Sequence, residues 1–196
     1  MNVHATPIAW PALAIFCGGL LLFGAMLLFV GKRAPEDDKG GRSRRSIIGI
    51  AIQMLAFFAV GAGPLDLALE PTSPAALAEA AIVLAFGTIT CALFFASKRA
   101  LGRNWSLVAR MRSDHELIRT GPYARVRHPI YLGMLLFLLA LAVALGHWVQ
   151  LLVALPVFFI GTAIRTRLED GLLEQSFGDS FRDYRRSTPA LIPRLF

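Results

Sequence analysis

Apolar and polar positions along this chain fall into long blocks instead of alternating at a short period. Runs 8–30, 47–65, 80–97 and 129–164 contain no Asp, Glu, Lys or Arg, and runs of that length match the hydrocarbon thickness of a bilayer. The last run, as one straight helix, would extend about 54 Å, against roughly 30 Å for the hydrocarbon core. It must fold back. Gly146, His147 and Trp148 interrupt its middle with a flexible residue, a polar one and an interfacial aromatic, leaving two arms of about 17 residues, near the lower limit for crossing. The pattern predicts an all-α integral membrane protein with about five transmembrane helices, the last two a tight helical hairpin, followed by a cytoplasmic C-terminal helical tail.

Charge placement tests the span count, because cytoplasmic loops collect Lys and Arg. All 20 basic residues lie in segment 31–46, segment 98–128 and the tail from Arg165. The N-terminus, the 61–79 loop and the 146–148 turn hold none. Five spans put the three basic segments on one side, with the N-terminus outside and the C-terminus cytoplasmic; four would put the basic tail on the wrong face. The expected molecule is thus a multi-pass protein of a bacterial-type inner membrane. Residues 1–97 form three N-terminal spans with their loops, and residues 98–196 form a second half with a cytoplasmic loop, the hairpin and the tail.

Composition agrees: 56% of residues are hydrophobic and 17% charged, against about 25% charged in an ordinary soluble domain. The net charge of +7 follows from topology, so anionic lipid head groups, and no nucleic acid, are its expected counterpart. No Lys or Arg precedes the first run, which argues that it is retained and not cleaved as a signal peptide. Cys17 and Cys91 lie inside apolar runs and are expected to pack as small residues, with no disulfide and no metal site. Segment 31–46, with Pro35, Gly40 and Gly41, looks like an exposed loop. Beyond the hairpin, 165–184 continues with helix-favouring residues that set Phe177, Phe181 and Tyr184 on one stripe, fit either to pack on the membrane surface or bundle, or to close over a pocket.

A hairpin returns its two feet to one membrane face, so residues 121–131 should lie near residues 165–170. Arg165 and Glu169, four apart, share a helix face, with Asp170 beside them. Alone, that pair reads as a surface salt bridge, and His128-Pro129 as a helix-start device. Together with Tyr123 and Tyr131 they suit a cationic ligand in a partly dry cavity: carboxylates offset positive charge, tyrosine faces add cation–π attraction and arginine grips a carboxylate. S-adenosylmethionine, which carries a sulfonium, an amino group and a carboxylate, meets that description. No strand followed by GxGxxG occurs, which excludes a Rossmann-type dehydrogenase or methyltransferase.

The ordered set Leu101-Gly102-Arg103-Asn104-Trp105-Ser106, His115-Glu116-Leu117-Ile118, Gly121-Pro122-Tyr123, Arg127-His128-Pro129-Ile130-Tyr131, Arg165-xxx-Glu169, Phe177-Gly178 and Tyr184 resembles the isoprenylcysteine carboxyl methyltransferase family of integral membrane enzymes. The likeness covers the C-terminal half. It implies a cytoplasm-facing S-adenosylmethionine site and a lipophilic or lipidated acceptor that enters from the bilayer. His115, Glu116, Leu117, Ile118, Tyr123, His128, Pro129, Ile130, Tyr131 and Glu169 would line the cofactor site, Arg165 would face the acceptor, and Arg165 and Glu169 would be the residues on which catalysis depends. Asp170 stands where a second Glu is common and Phe181 where a Tyr is common.

The chemistry implied is in-line methyl transfer driven by positioning. A carboxylate acceptor needs no base; a thiol or amine would, and His128 is the available candidate. The NADPH-dependent sterol and enone reductases share a similar membrane half but carry more spans, and Arg185-Arg186 is the sole basic cluster here for a ribose phosphate. A non-enzymatic scaffold would leave His128, Tyr131, Arg165 and Glu169 unexplained. The acceptor's identity and the oligomeric state stay open at this level. Reporter fusions at Lys39, Thr72, Arg110 and the C-terminus should read inside, outside, inside and inside; an outside C-terminus would remove the hairpin.

Overall fold

The computed structural model describes residues 6–29, 44–105 and 115–192. Among them the regular structure is helical: α1 (Trp10–Phe29), α2 (Arg44–Gly61), α3 (Pro74–Leu101), α4 (Pro129–Leu145), α5 (Leu151–Phe177) and α6 (Asp179–Ser187), with 3₁₀ turns at Gly102–Asn104 and Gly121–Ala124. Helices Pro74–Asn104 and Leu151–Phe177 are long and apolar enough to cross a membrane, and Trp10–Ala25, Arg45–Gly61 and Pro129–Leu145 are shorter apolar helices. Large apolar side chains point outward, among them Leu21, Phe58 and Leu152. Apolar surface of that extent marks a protein that meets lipid or partners and not bulk water.

Local chemistry sets the helix ends. Ser73 caps α3 by accepting the Ala76 N–H at 3.2 Å, and Pro74 occupies the first turn, where its missing N–H costs nothing. The chain reverses after α4 at Gly146, whose φ of 69° is left-handed. His147 follows, fully buried, its ring nitrogens 2.7 Å from the Val60 carbonyl and 3.1 Å from the Pro64 carbonyl. Thr6 donates its N–H to the Gly146 carbonyl at 3.0 Å, and Ile8 its N–H to the Asp66 carbonyl at 2.8 Å. The described parts of the three segments without basic residues therefore meet at one end of the bundle.

The chain turns where the sequence places the turn, and the two helices it joins share an apolar cluster, yet most of each packs on another helix. Helix α4 packs chiefly on α3, and α5 on α2. Small residues explain the choice, because they let backbones approach closely. Gly133 of α4 lies against Thr90 of α3, whose hydroxyl donates to the Gly133 carbonyl at 2.9 Å. Gly161 of α5 lies against Gly49 and Gln53 of α2, and the Gln53 amide donates to the Thr162 hydroxyl at 2.9 Å. Two apolar clusters complete the core: Ala56, Val60, Leu138, Ala154 and Phe158 between α2, α4 and α5, and Ala12, Phe16, Val83, Ala140 and Val143 between α1, α3 and α4.

The tail departs from one continuous helix. Helix α5 runs to Phe177, and Gly178 at φ 51° starts α6 in a new direction. Phe181 and Tyr184 are buried on α6, whereas Phe177 stays with α5, its ring 6.4 Å from that of His115. A methyl group at position 146 would lie 2.3 Å from the Thr6 carbonyl oxygen. Gly146→Ala should therefore cost about 2 kcal/mol for the left-handed backbone alone, plus the displacement of Thr6, read as a lower melting temperature in detergent.

Candidate functional site

The foot of α4 and the polar end of α5 face each other because the chain returns at Gly146. Each contributes a charged dipeptide: Arg127-His128 on one side, Glu169-Asp170 on the other. His128 is buried and sets its Nε2 2.9 Å from Asp170 Oδ1 and its Nδ1 3.5 Å from Glu169 Oε2. Arg127 donates from Nη2 to Asp170 Oδ2 at 3.1 Å. Glu169 Oε1 accepts from the Tyr131 hydroxyl and, at 3.2 Å, from Arg165 Nη2. The Arg165 guanidinium also lies 5.3 Å from the centre of the Tyr131 ring, within range of a cation–π attraction.

Only mutual pairing makes such burial tolerable, since an isolated ion in this setting would be strongly disfavoured. Burial works against a charged His128, but its contacts with Asp170 and Glu169 and their negative charges prevail and raise its pKa above the ordinary value. Burial likewise opposes ionised Glu169, and His128, Arg165 and Tyr131 together outweigh it and hold the carboxyl below its ordinary value. Tyr123 is raised by burial and by the charge of Glu169.

The tail closes this side. Tyr184 donates to the Tyr123 carbonyl at 2.6 Å, and Arg119 Nη2 to the Ser180 carbonyl at 2.6 Å. Burial pushes the Tyr184 hydroxyl up to about 12. Residues 188–190 then run beside the entry to α4: Arg127 N–H donates to the Pro189 carbonyl and His128 N–H to the Ala190 carbonyl, each at 2.9 Å. Arg127 Nη1 adds bonds to the Arg185 and Thr188 carbonyls at 3.0 Å. The tail thus packs against residues 119–128 at the entry to α4.

Of the candidates named from sequence, the structure gathers His128, Tyr131, Arg165 and Glu169 into one network, with Tyr123 buried beneath α6. Pro129 is buried at the start of α4 and Ile130 half-buried. Residues 115–118 lie outside regular secondary structure; His115 approaches Phe177, and Leu117 and Ile118 are half-buried. Glu116 is turned outward, its carboxylate 3.2 Å from Arg103 Nη2 and its carbonyl accepting from Asn104 at 3.4 Å. Ser106 and residues 107–114 lie outside the described residues. Sequence reasoning undervalued Arg127 and Asp170, which lock the two feet together. The available signal was the pair of adjacent opposite charges, Arg127-His128 against Glu169-Asp170.

Residues 76–180 match the family model for phospholipid methyltransferases. The chain is 37% identical over 96 residues to a protein-S-isoprenylcysteine O-methyltransferase of Schizosaccharomyces pombe, covering 48% of this chain and 41% of that protein. It is 43% identical over 76 residues to methanethiol S-methyltransferase 2 of Bradyrhizobium diazoefficiens, covering 38% and 27% respectively. The chain thus spans less than half the length of either relative. The solved structure of the eukaryotic intramembrane Ras methyltransferase, isoprenylcysteine carboxyl methyltransferase, superposes with a TM-score of 0.54 at 19% identity, over 94% of this chain and 68% of that one. The fold is therefore similar to that of this solved structure. With more than half of its residues matched, the chain belongs to the phospholipid methyltransferase family.

The pH dependence of stability follows from the two shifts. His128 has a raised pKa, so its contribution is complete below its ordinary value of 6.5 and is lost as pH rises through the raised value. Glu169 has a lowered pKa, so its contribution is complete above 4.5 and is lost as pH falls through the lowered value. The melting-temperature gap between wild type and His128→Gln should accordingly be widest from pH 4.5 to 6.5 and narrow as the medium becomes alkaline. A gap that ignores pH would mean that His128 titrates alike in the folded and unfolded states.

Proposed function

We propose that this chain transfers a methyl group from S-adenosylmethionine to a lipophilic or amphiphilic acceptor, an isoprenylcysteine-type carboxylate being the acceptor the site suits best. The carrying observation is the buried network of His128, Tyr131, Arg165 and Glu169 at the feet of α4 and α5. Family membership and the names of the relatives support the same reading. The topology that goes with it is five crossings, an outside N-terminus, and a site at the cytoplasmic face. Its support is the confinement of all 20 basic residues to alternate segments and the meeting of the described base-free segments at the opposite end of the bundle.

The donor set fits the cofactor. A zwitterion with an added sulfonium needs negative charge, positive charge and an aromatic face together, and Glu169, Arg165 and the Tyr131 ring supply them within one hydrogen-bonded cluster. S-adenosylmethionine supplies an electrophilic methyl carbon when bound. Glu169, kept ionised by its neighbours, offsets cationic charge; Tyr131 orients the carboxylate of Glu169 and offers its ring face. Tyr123, His115, Glu116, Leu117, Ile118, Pro129 and Ile130 complete the lining in this reading. Arg165 presents a planar guanidinium that can hold an acceptor carboxylate by two hydrogen bonds.

One observation favours a carboxylate acceptor. A thiol must lose a proton before it attacks, and His128 was the available base. Its two nitrogens already face Glu169 and Asp170, so neither is turned to an incoming thiol. A carboxylate needs no such step.

Were Arg165 and Glu169 only a surface pair, removing either would cost under about 1 kcal/mol of stability and spare activity. In the proposed roles the losses differ in kind. S-adenosylmethionine should raise the melting temperature of the wild type, as a ligand of the folded state does, and NADPH should not. Glu169→Gln should weaken that shift, whereas Arg165→Ala should keep it and suppress labelling of a membrane extract from methyl-labelled S-adenosylmethionine. Stabilisation by NADPH alone would favour a reductase.

A further inference from the structure

Helix α2 lies outside the family-matched segment, residues 76–180, yet it touches the residue to which acceptor binding is assigned. Gly49 is buried where α2 crosses α5. A Cβ at this position would stand 2.5 Å from Arg165 Cγ, 3.4 Å from Arg165 Cδ and 3.2 Å from the Gly161 carbonyl oxygen. The aliphatic stem of Arg165 therefore occupies the space that a side chain at 49 would fill. Both Gly49 and Gly161 are compatible with simple close packing, but their contacts differ. A Cβ at Gly161 would stand 2.9–3.0 Å from Gln53 Cγ and N and the Gly49 carbonyl oxygen, whereas the atom nearest to a Cβ at Gly49 would be a side-chain atom of Arg165.

We infer that Gly49 is a positioning residue for Arg165: its missing side chain admits the arginine stem between α2 and α5 and so sets where the guanidinium stands beside Tyr131 and Glu169. The inference rests on the acceptor-holding role proposed for Arg165. Its physical reason is rotameric. Cγ is placed by χ1, and a helical residue has two favoured χ1 wells, so relieving a 2.5 Å approach at Cγ swings the whole guanidinium instead of shifting its tip. The charge that the α4–α5 network depends on is thus aimed by a helix of the N-terminal half.

The test is a double-mutant cycle with a packing control, on the full chain in detergent, using methyl-labelled S-adenosylmethionine and a membrane extract as acceptor source. Gly49→Ala should lower label transfer by about tenfold to a hundredfold, the loss that a misplaced reacting group brings, while the melting-temperature shift given by S-adenosylmethionine stays as in wild type. Thr162→Val, which removes the Gln53 bond at the same crossing without touching Arg165, should lower the melting temperature and leave transfer within about twofold. In the Arg165→Ala background the stem is gone and only the 3.2 Å approach to the Gly161 carbonyl oxygen remains, so adding Gly49→Ala should lower the melting temperature much less than it does in wild type and leave residual transfer unchanged. If Gly49→Ala alone fails to fold, recovery of folding in the double variant is the same result in stronger form. Equal destabilisation by Gly49→Ala in both backgrounds, or a loss of transfer by Thr162→Val in step with its melting temperature, would overturn the inference. Full transfer by Arg165→Ala would instead overturn the role of Arg165 and leave the steric coupling to be decided by the melting temperatures.

Discussion

Charge buried at the feet of α4 and α5 is the constraint around which this structure is organised. Two carboxylates, two guanidinium groups and an imidazole share the junction between α4 and α5, and each is tolerable there only because the others are within bonding reach. That requirement fixes the register of the two helices more tightly than apolar packing could, because apolar faces tolerate small shifts and ion pairs do not. It also reaches the tail. Arg127 divides its donors among Asp170, the Arg185 carbonyl and the Thr188 carbonyl, so the network and the strap over it form together.

The sequence made the blocks, the reversal at Gly146 and the composition of the cluster readable, because each is written in residue types: charge-free runs, a glycine followed by polar and aromatic residues, and paired opposite charges. The choice of partners for α4 and α5 was not readable. An apolar helix carries no stripe to say which face turns inward, and the deciding residues, Gly133 against Thr90 and Gly161 against Gly49, are distinguished by what they lack. The break at Gly178 was hidden for a related reason, since a stripe through Phe177, Phe181 and Tyr184 satisfies helical spacing whether or not the helix continues. Asp170 stands where the family resemblance puts a second Glu. In the fold it bonds both members of the Arg127-His128 pair, which the shorter side chain reaches because it lies on the face turned to the foot of α4.

A site whose charges already satisfy one another places a condition on its ligands. A bound group must replace a contact that exists, so affinity is the difference between what is gained and what is given up. A ligand of one sign could replace a partner of Glu169 or of Arg165 but would leave the other buried without its counterion, at the cost that attaches to a broken buried pair. A ligand that brings both signs can replace both. This condition favours a zwitterionic donor and an anionic acceptor used together over either alone, and it argues for the carboxylate-accepting reading independently of any likeness to other proteins. It also bears on Gly49. The exchange of partners at Arg165 requires the guanidinium to stand where Glu169 and an incoming carboxylate can both be reached, and that position is set by the room α2 leaves for the arginine stem.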